Sequence, residues 1–205
     1  MKIICVGMNY ANHNKELHNS LILTEPVIFM KSDTSLLKDG KPFFLPDFSE
    51  DIQYETEIVV KISRLGKNIA RRFAYRYFEE LTVGIDLTAR DLQQRLRTAG
   101  LPWEISKSFD GSAVVGRFVG KDSLEHTLDN LPFRLELNGQ TVQEGNTADM
   151  LFAIDEIIAY ISRFVTLRMG DLIYTGTPAG VGTLHINDHL QGYIGERKLL
   201  DFHVR

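Results

Sequence analysis

The 205-residue sequence predicts a single α+β domain, mainly β, organised around a rolled mixed β-sheet with a few peripheral helices. Three observations carry that expectation. The apolar segments are mostly short and rich in β-branched residues, which is the pattern of strands. Helical segments are few and do not alternate regularly with the strands, which argues against a doubly wound parallel sheet. No repeat, low-complexity tract or linker interrupts the chain, and its length lies near the roughly 100–200 residues of one domain, so residues 1–205 read as one unit.

Taken in order, Lys2–Val6 and Pro26–Lys31 are short apolar strands, and Tyr54–Ile62 alternates and is rich in β-branched residues, a third. Ala70–Glu80 carries helix formers and an aromatic stripe (Phe73, Tyr77, Phe78), so a helix is expected there. Leu81–Asp86 follows as a strand. Thr88 stands three residues before Asp91 and just ahead of Leu92 and Leu96, a capping-box-like start to a helix ending near Gly100. Phe133–Leu137 and Gln140–Gln143 flank Asn138-Gly139, a strong hairpin signal because both turn positions tolerate positive φ. Ile154–Phe164 has apolar residues at helical spacing, Leu172–Tyr174 reads as a buried strand and Leu199–Val204 as a closing one.

Composition limits the function classes. At 43% hydrophobic and 24% charged residues the chain can bury a core, which excludes disorder as its main state. The 23 basic against 27 acidic residues, a net charge of −4, argue against a protein held to nucleic acid by overall charge. The single cysteine, Cys5, excludes an internal disulfide and a cysteine-rich zinc site. No apolar run approaches the roughly 20 residues of a membrane span, and the amino-terminal apolar stretch is too short for a signal peptide. A cytoplasmic protein with neither nucleic-acid nor membrane partner is expected.

The most informative segment for chemistry is Asp51–Ile62, DIQYETEIVVKI. Side chains two apart on a strand share a face, so Glu55 and Glu57 stand side by side, with Tyr54, Thr56, Ile58 and Val60 opposite. Two adjacent carboxylates resist ionisation together, and a hard divalent cation removes that conflict. Taken alone, the pair reads first as a solvated strand face, because Glu-x-Glu is common. Asp86 adds a third acid where an apolar strand opens into a helix, a place from which it can reach the end of a sheet; alone it is an ordinary turn residue. His13 and Glu16, three apart in GMNYANHNKEL, share a face of a helical turn, where the carboxylate can orient the imidazole for proton transfer. In isolation they read as a surface pair. His18–Glu25 has no clear period and suits a loop that closes over a site. Lys107 lies near Trp103 and Phe109, placed either to pair with site carboxylates or to snorkel at the surface. DLIYTGTPAGVG, Asp171–Gly182, is a strand entering a Gly/Pro turn that can offer backbone N–H groups and threonine hydroxyls to an anion. It lacks the P-loop lysine and the GxGxxG spacing.

In this order GMNYANHNKEL, EPVIFMK, YETEIVV, GIDLTARDLQ, GLPWEISKSFDG, LNGQTVQEGNTADMLF and GDLIYTGTPAGVG resemble the fumarylacetoacetate hydrolase family, over nearly the whole chain. The resemblance is to its short single-domain members, which include acylpyruvate hydrolases and oxaloacetate decarboxylases. It implies a rolled mixed sheet and a Mg²⁺ or Mn²⁺ site with Glu55, Glu57 and Asp86 as metal ligands. It further implies His13 and Glu16 as a catalytic lid pair with Lys107, and Gln93, Thr177, Lys31 and Arg90 as substrate-binding residues. Gln53 is a departure, since many members carry histidine at that position, and it is expected on the strand face of Glu55 and Glu57.

The implied function is divalent-metal-dependent hydrolysis of a C–C bond in acylpyruvate-type 2,4-dioxo acids, together with decarboxylation of oxaloacetate. The alternative is an isomerase or hydratase acting on an unsaturated 2-oxo dicarboxylate such as 2-hydroxyhepta-2,4-diene-1,7-dioate. The partner expected is a small 2-oxo acid substrate, and the family resemblance implies a homodimer.

Overall fold

The computed structural model describes residues 1–16 and 22–205. An eight-stranded mixed sheet forms its body. Seven strands run in the order Val27–Lys31, Ile3–Gly7, Leu172–Tyr174, Thr56–Ile62, Phe78–Asp86, Ala113–Val115 and Leu36–Leu37; Val119–Gly120 also pairs with Phe78–Asp86. Ile3–Gly7 lies parallel to Leu172–Tyr174, and Leu36–Leu37 parallel to Ala113–Val115; the other pairings are antiparallel. A four-stranded antiparallel sheet, ordered Gln140–Asn146, Pro132–Leu137, His189–Ile194 and Arg197–His203, packs against it. A third sheet joins Gly182–Thr183, Ile52–Tyr54 and Thr88–Ala89. This is the rolled, mainly β architecture that the strand-rich pattern predicts. Among the described residues no helix is long and apolar enough to cross a membrane.

Side-chain alternation explains how the layers stack. Along Thr56–Ile62, Ile58, Val60 and Ile62 enter a large core shared with Val83 and Ile85 of the neighbouring strand and with Phe133, Leu135, Leu190 and Phe202 of the second sheet. Val59 points the other way, into a smaller cluster with Ile3, Cys5, Leu172 and Tyr174. Both faces of this strand are therefore buried, which is why its sequence is an apolar run and not a strict alternation.

Gly84 lies opposite Glu57 in the antiparallel pair. A Cβ there would stand 2.6 Å from Val59 Cγ2 and 2.7 Å from the Val114 carbonyl oxygen. Gly84→Ala is expected to lower stability by about 1–3 kcal/mol through overpacking against backbone, read as a lower Tm. An unchanged Tm would show that the sheet can open there.

The Asn138-Gly139 hairpin forms with both residues at positive φ, 53° and 80°, and the helix Ile154–Phe164 has the bounds expected of it. Other expectations need correction. Ala70–Glu80 is not an α-helix: Arg71–Arg76 forms a 3₁₀ segment, and Phe78 already opens the strand Phe78–Asp86. Pairing with Thr56–Ile62 and burial of Phe78 override the local helix propensity, and Phe73, from the supposed stripe, is exposed. The helix Arg90–Thr98 ends at Gly100 (φ 66°) as expected, but no capping box starts it. Ala89 holds the N-cap position; Thr88 pairs with Gln53, and its hydroxyl donates to the Asp86 carbonyl at 3.3 Å. Asp91 instead accepts from Ser49 Oγ at 2.6 Å and from the Glu50 amide at 3.1 Å. The Tyr54–Ile62 strand is interrupted at Glu55. Residues 18–21 of the expected lid lie outside the described residues.

Candidate metal centre and active site

The interruption at Glu55 shapes the site. Ile52–Tyr54 turns into the small sheet, while Thr56–Ile62 continues into the large one, so Glu55 stands where two sheets part. Thr56 pairs with Ile85, and the Asp86 amide donates to the Glu55 carbonyl at 2.8 Å. These bonds bring the end of Phe78–Asp86 level with Glu55 and Glu57. A carboxylate oxygen from each of Glu55, Glu57 and Asp86 lies within 4.8 Å of the other two. All three residues are buried, at 5%, 2% and 1% exposure. Three acids this close and this dry need positive charge among them.

The chain supplies part of it. Lys107 Nζ donates to Glu55 Oε2 at 2.6 Å and to Asp86 Oδ2 at 2.8 Å. Arg90 reaches Glu55 Oε1 through Nη2, Gln53 Oε1 through Nε at 2.8 Å and Gln93 Oε1 through Nη1 at 2.6 Å. Burial pushes the Glu55 carboxyl up, but Lys107, Arg90 and His13 outweigh it and hold that group well below the usual carboxylate range. Burial lowers the Lys107 ammonium, and Asp86 and Glu55 reverse this, so its pKa is raised. Glu57 is the opposite case. It accepts the Gly176 amide at 2.6 Å, yet burial and then the Asp86 charge raise its pKa well above the ordinary value.

That imbalance fits a divalent cation. Asp86 Oδ1 lies 2.7 Å from Lys31 Nζ but has no donor aligned on it for a hydrogen bond. The donor set is all carboxylate oxygen, the set that hard cations take. Glu55, Glu57 and Asp86 are the residues that would hold such an ion.

A cavity of about 230 Å³ opens onto these acids. His13, Gln93, Arg90, Lys107 and Thr177 line it, with Val27, Phe29 and Trp103 as apolar wall. His13, on the helix Ala11–Glu16, is 4% exposed. Glu16 ends that helix, and its side chain lies outside the described part of the structure. Lys31, expected to bind substrate, is not on the cavity wall. It stands behind Asp86, with its ammonium donating to the carbonyls of Lys107, Leu87 and Ser112 and to Ser112 Oγ. So many oxygens around one buried ammonium make Lys31 a support for Asp86. Gln53 orients Arg90 and donates to both Asp51 carboxylate oxygens at 3.1 Å.

Two supporting residues escaped the sequence reading. Gln143, from the hairpin, accepts the Thr56 amide at 2.9 Å and donates to Thr177 Oγ1 and the Pro178 carbonyl, each at 3.0 Å. It ties the acid-bearing strand to the Gly-rich turn. Asn9, fully buried, donates to the Thr175 carbonyl at 2.7 Å and accepts the Phe152 amide at 2.8 Å. Gly176 (φ 104°) packs onto Asn9, where a Cβ would meet Asn9 Cβ at 2.6 Å. The anion that this turn's amide serves is therefore Glu57 itself. Neither residue lies in a pattern of local spacing that singles it out; only the register between distant strands does so.

Comparison with known proteins accords with this geometry. Residues 2–203 match the family described as Fumarylacetoacetate (FAA) hydrolase C-terminal. Oxaloacetate tautomerase FAHD1, mitochondrial, of Mus musculus is 39% identical over 203 residues, covering 99% of this chain and 91% of that protein. The structure of fumarylpyruvate hydrolase from Pseudomonas aeruginosa, in complex with Mn²⁺ and pyruvate, is similar with a TM-score of 0.93 at 32% identity, covering 100% of this chain and 89% of that one. The 2-hydroxyhepta-2,4-diene-1,7-dioate isomerase from Mycobacterium marinum is similar with a TM-score of 0.84 at 30% identity, covering 99% and 73%. Hydrolase, tautomerase and isomerase thus all stand among its relatives, and the chain, matched almost end to end, belongs to the fumarylacetoacetate hydrolase family.

Proposed function

We propose that the protein is a divalent-metal-dependent enzyme that converts small 2-oxo acids by way of their enol form. Oxaloacetate is its first candidate substrate, through tautomerisation and decarboxylation, and hydrolysis of acylpyruvates is a second reaction of the same site. The observation that carries this reading is the buried trio Glu55, Glu57 and Asp86, straddled by Lys107, at the floor of a small cavity. The names of the relatives, an oxaloacetate tautomerase and a fumarylpyruvate hydrolase with Mn²⁺ and pyruvate bound, favour oxaloacetate and the acylpyruvates within that class and favour Mg²⁺ or Mn²⁺ as the ion.

A cation held by the three acids would supply fixed positive charge for the carboxylate and 2-oxo oxygens of the substrate, where negative charge grows as an enol forms. The chain's own groups do the rest. Lys107 adds a buried positive charge beside Glu55 and Asp86 and can donate to a substrate oxygen. Gln93, held by Arg90, offers an amide to the cavity, and Thr177, held by Gln143, a hydroxyl. Phe29 and Trp103, with ring centroids 4.9 Å apart, form the apolar wall that keeps water away from the carbon chain. His13 is the imidazole on that wall, the side chain suited to take a proton from the substrate carbon or from water. Oxaloacetate decarboxylation needs no such base, because CO₂ leaves without an attacking water.

The volume, about 230 Å³, lies below the roughly 300–1,000 Å³ of pockets for drug-sized ligands, which favours a short substrate. The test is a panel of oxaloacetate, acetylpyruvate and 2-hydroxyhepta-2,4-diene-1,7-dioate, each with Mg²⁺ or Mn²⁺ and with chelator. The expected result is metal-dependent enol–keto exchange and CO₂ release from oxaloacetate, with slower cleavage of acetylpyruvate to pyruvate and acetate. Activity undiminished by chelator rejects the metal assignment. Turnover confined to the dienedioate, with no fragment released, makes the protein an isomerase.

A further inference from the structure

We propose that Arg97 reads the second carboxylate of the substrate, so that the site is built for dicarboxylic rather than monocarboxylic 2-oxo acids. This rests on the 2-oxo acid reading above and narrows its substrate class.

Arg90, Gln93 and Arg97 recur at helical spacing on Arg90–Thr98, and all three line the cavity. Their roles differ. Arg90 is held by Gln53, Gln93 and Glu55 and belongs to the acid cluster. Arg97 stands about 10 Å further along the helix axis. It is exposed, and among the described residues its guanidinium has no hydrogen bond or ion pair, although it faces the cavity. Among residues 14–21, whose side chains the structure does not describe, Glu16 is the one acidic residue, and residues 17–21 add none. The cavity therefore has two charged regions. At its floor, three acids and Lys107 suit a 2-oxo acid head with its cation. Away from that floor stands an uncommitted guanidinium, with the Phe29 and Trp103 rings on the shared wall to receive a carbon chain. An arginine fork pairs with a carboxylate through two parallel bonds, geometry that a methyl or acetyl end cannot use.

The experiment compares ligands that differ only at the far end. Calorimetry on the Mn²⁺-loaded protein measures 2-oxoglutarate against 2-oxovalerate, two five-carbon 2-oxo acids of which the first alone carries a terminal carboxylate, and oxalate as a ligand for the floor alone. The parent protein is expected to bind 2-oxoglutarate roughly 10- to 100-fold more tightly than 2-oxovalerate, the range for a charge-assisted bond. Arg97→Met should erase that preference while leaving oxalate and 2-oxovalerate affinities within about twofold. In turnover the same variant should raise KM for oxaloacetate and leave KM for acetylpyruvate unchanged. Equal affinity of the parent for the two five-carbon acids overturns the proposal, as does a variant that weakens both equally. Should the Mn²⁺-loaded parent bind none of the three, oxalate included, the 2-oxo acid reading itself falls and this one with it.

Discussion

Glu57→Gln is expected to abolish turnover and to weaken Mn²⁺ binding by at least about 100-fold, the scale at which even indirect contacts to a metal matter. At the same time it should leave the metal-free protein at least as stable as its parent. The two effects have one cause. Glu57 is 2% exposed, and burial together with the Asp86 charge pushes its carboxyl well above the ordinary range. In the folded protein its ionised form is therefore the costly one, which only a cation redeems. The sign follows from linkage: a carboxyl whose folded pKa exceeds its unfolded pKa removes stability as pH rises from the unfolded value through the folded one. Glutamine carries no charge at any pH and keeps an oxygen for the Gly176 amide, which Glu57 accepts at 2.6 Å. The stability gap in favour of the metal-free variant should thus widen with pH, and Mn²⁺ should stabilise the parent alone. Metal binding by the parent should release a proton near the raised carboxyl pKa, visible as a buffer-dependent enthalpy. Calorimetry and thermal unfolding with and without EDTA across pH check each part. A variant that still binds Mn²⁺ as the parent does would remove Glu57 from the ligand set.

The positions of the acids were legible in the sequence because they obey short-range rules, whereas their role as ligands came from the resemblance to the fumarylacetoacetate hydrolase family. Glu55 and Glu57 share a strand face, and Asp86 ends an apolar strand; each follows from period and position alone. Their convergence does not. It depends on the pairing of Thr56 with Ile85 and on the break at Glu55, both set by long-range register, which leaves no local trace. The same distinction explains where the fold departs from local expectation. Local composition favoured a helix at Ala70–Glu80, but pairing with Thr56–Ile62 claimed Phe78 for the core. Lys31 carried the right charge near the right segment, but only the fold shows that its ammonium lies behind Asp86, among backbone carbonyls. Ala113–Val115 and His189–Ile194 went unread as strands because the first is three residues long and the second mixes polar residues with a glycine, although its Leu190 and Ile194 reach the core. Gln143 is the sharpest case: an unremarkable hairpin glutamine that is 2% exposed and joins two walls of the cavity.

His13→Ala should separate the reactions that need a base from the one that does not. His13 lines the cavity at 4% exposure and stands close enough to Glu55 to help hold that carboxyl ionised. Acylpyruvate hydrolysis requires a proton to leave water as it attacks the distal carbonyl, and enol–keto exchange of oxaloacetate requires one to leave and return to C3. Both should fall by about 10²–10⁴-fold, the usual contribution of a positioned base. Decarboxylation draws its driving force from charge at the cavity floor, from Lys107 and the cation that Glu55, Glu57 and Asp86 would hold, and loses CO₂ without an attacking water. It should stay within about fivefold, since that step needs no base and Lys107 and Arg90 still hold Glu55 ionised. Oxalate affinity of the Mn²⁺-loaded variant provides the control, because it reads the floor of the cavity and not the base. If all three rates fall together with oxalate affinity intact, His13 serves a step common to every reaction, such as closing the cavity, and water activation belongs elsewhere. If oxalate affinity falls as well, the imidazole acts through Glu55 and positions the acid trio itself.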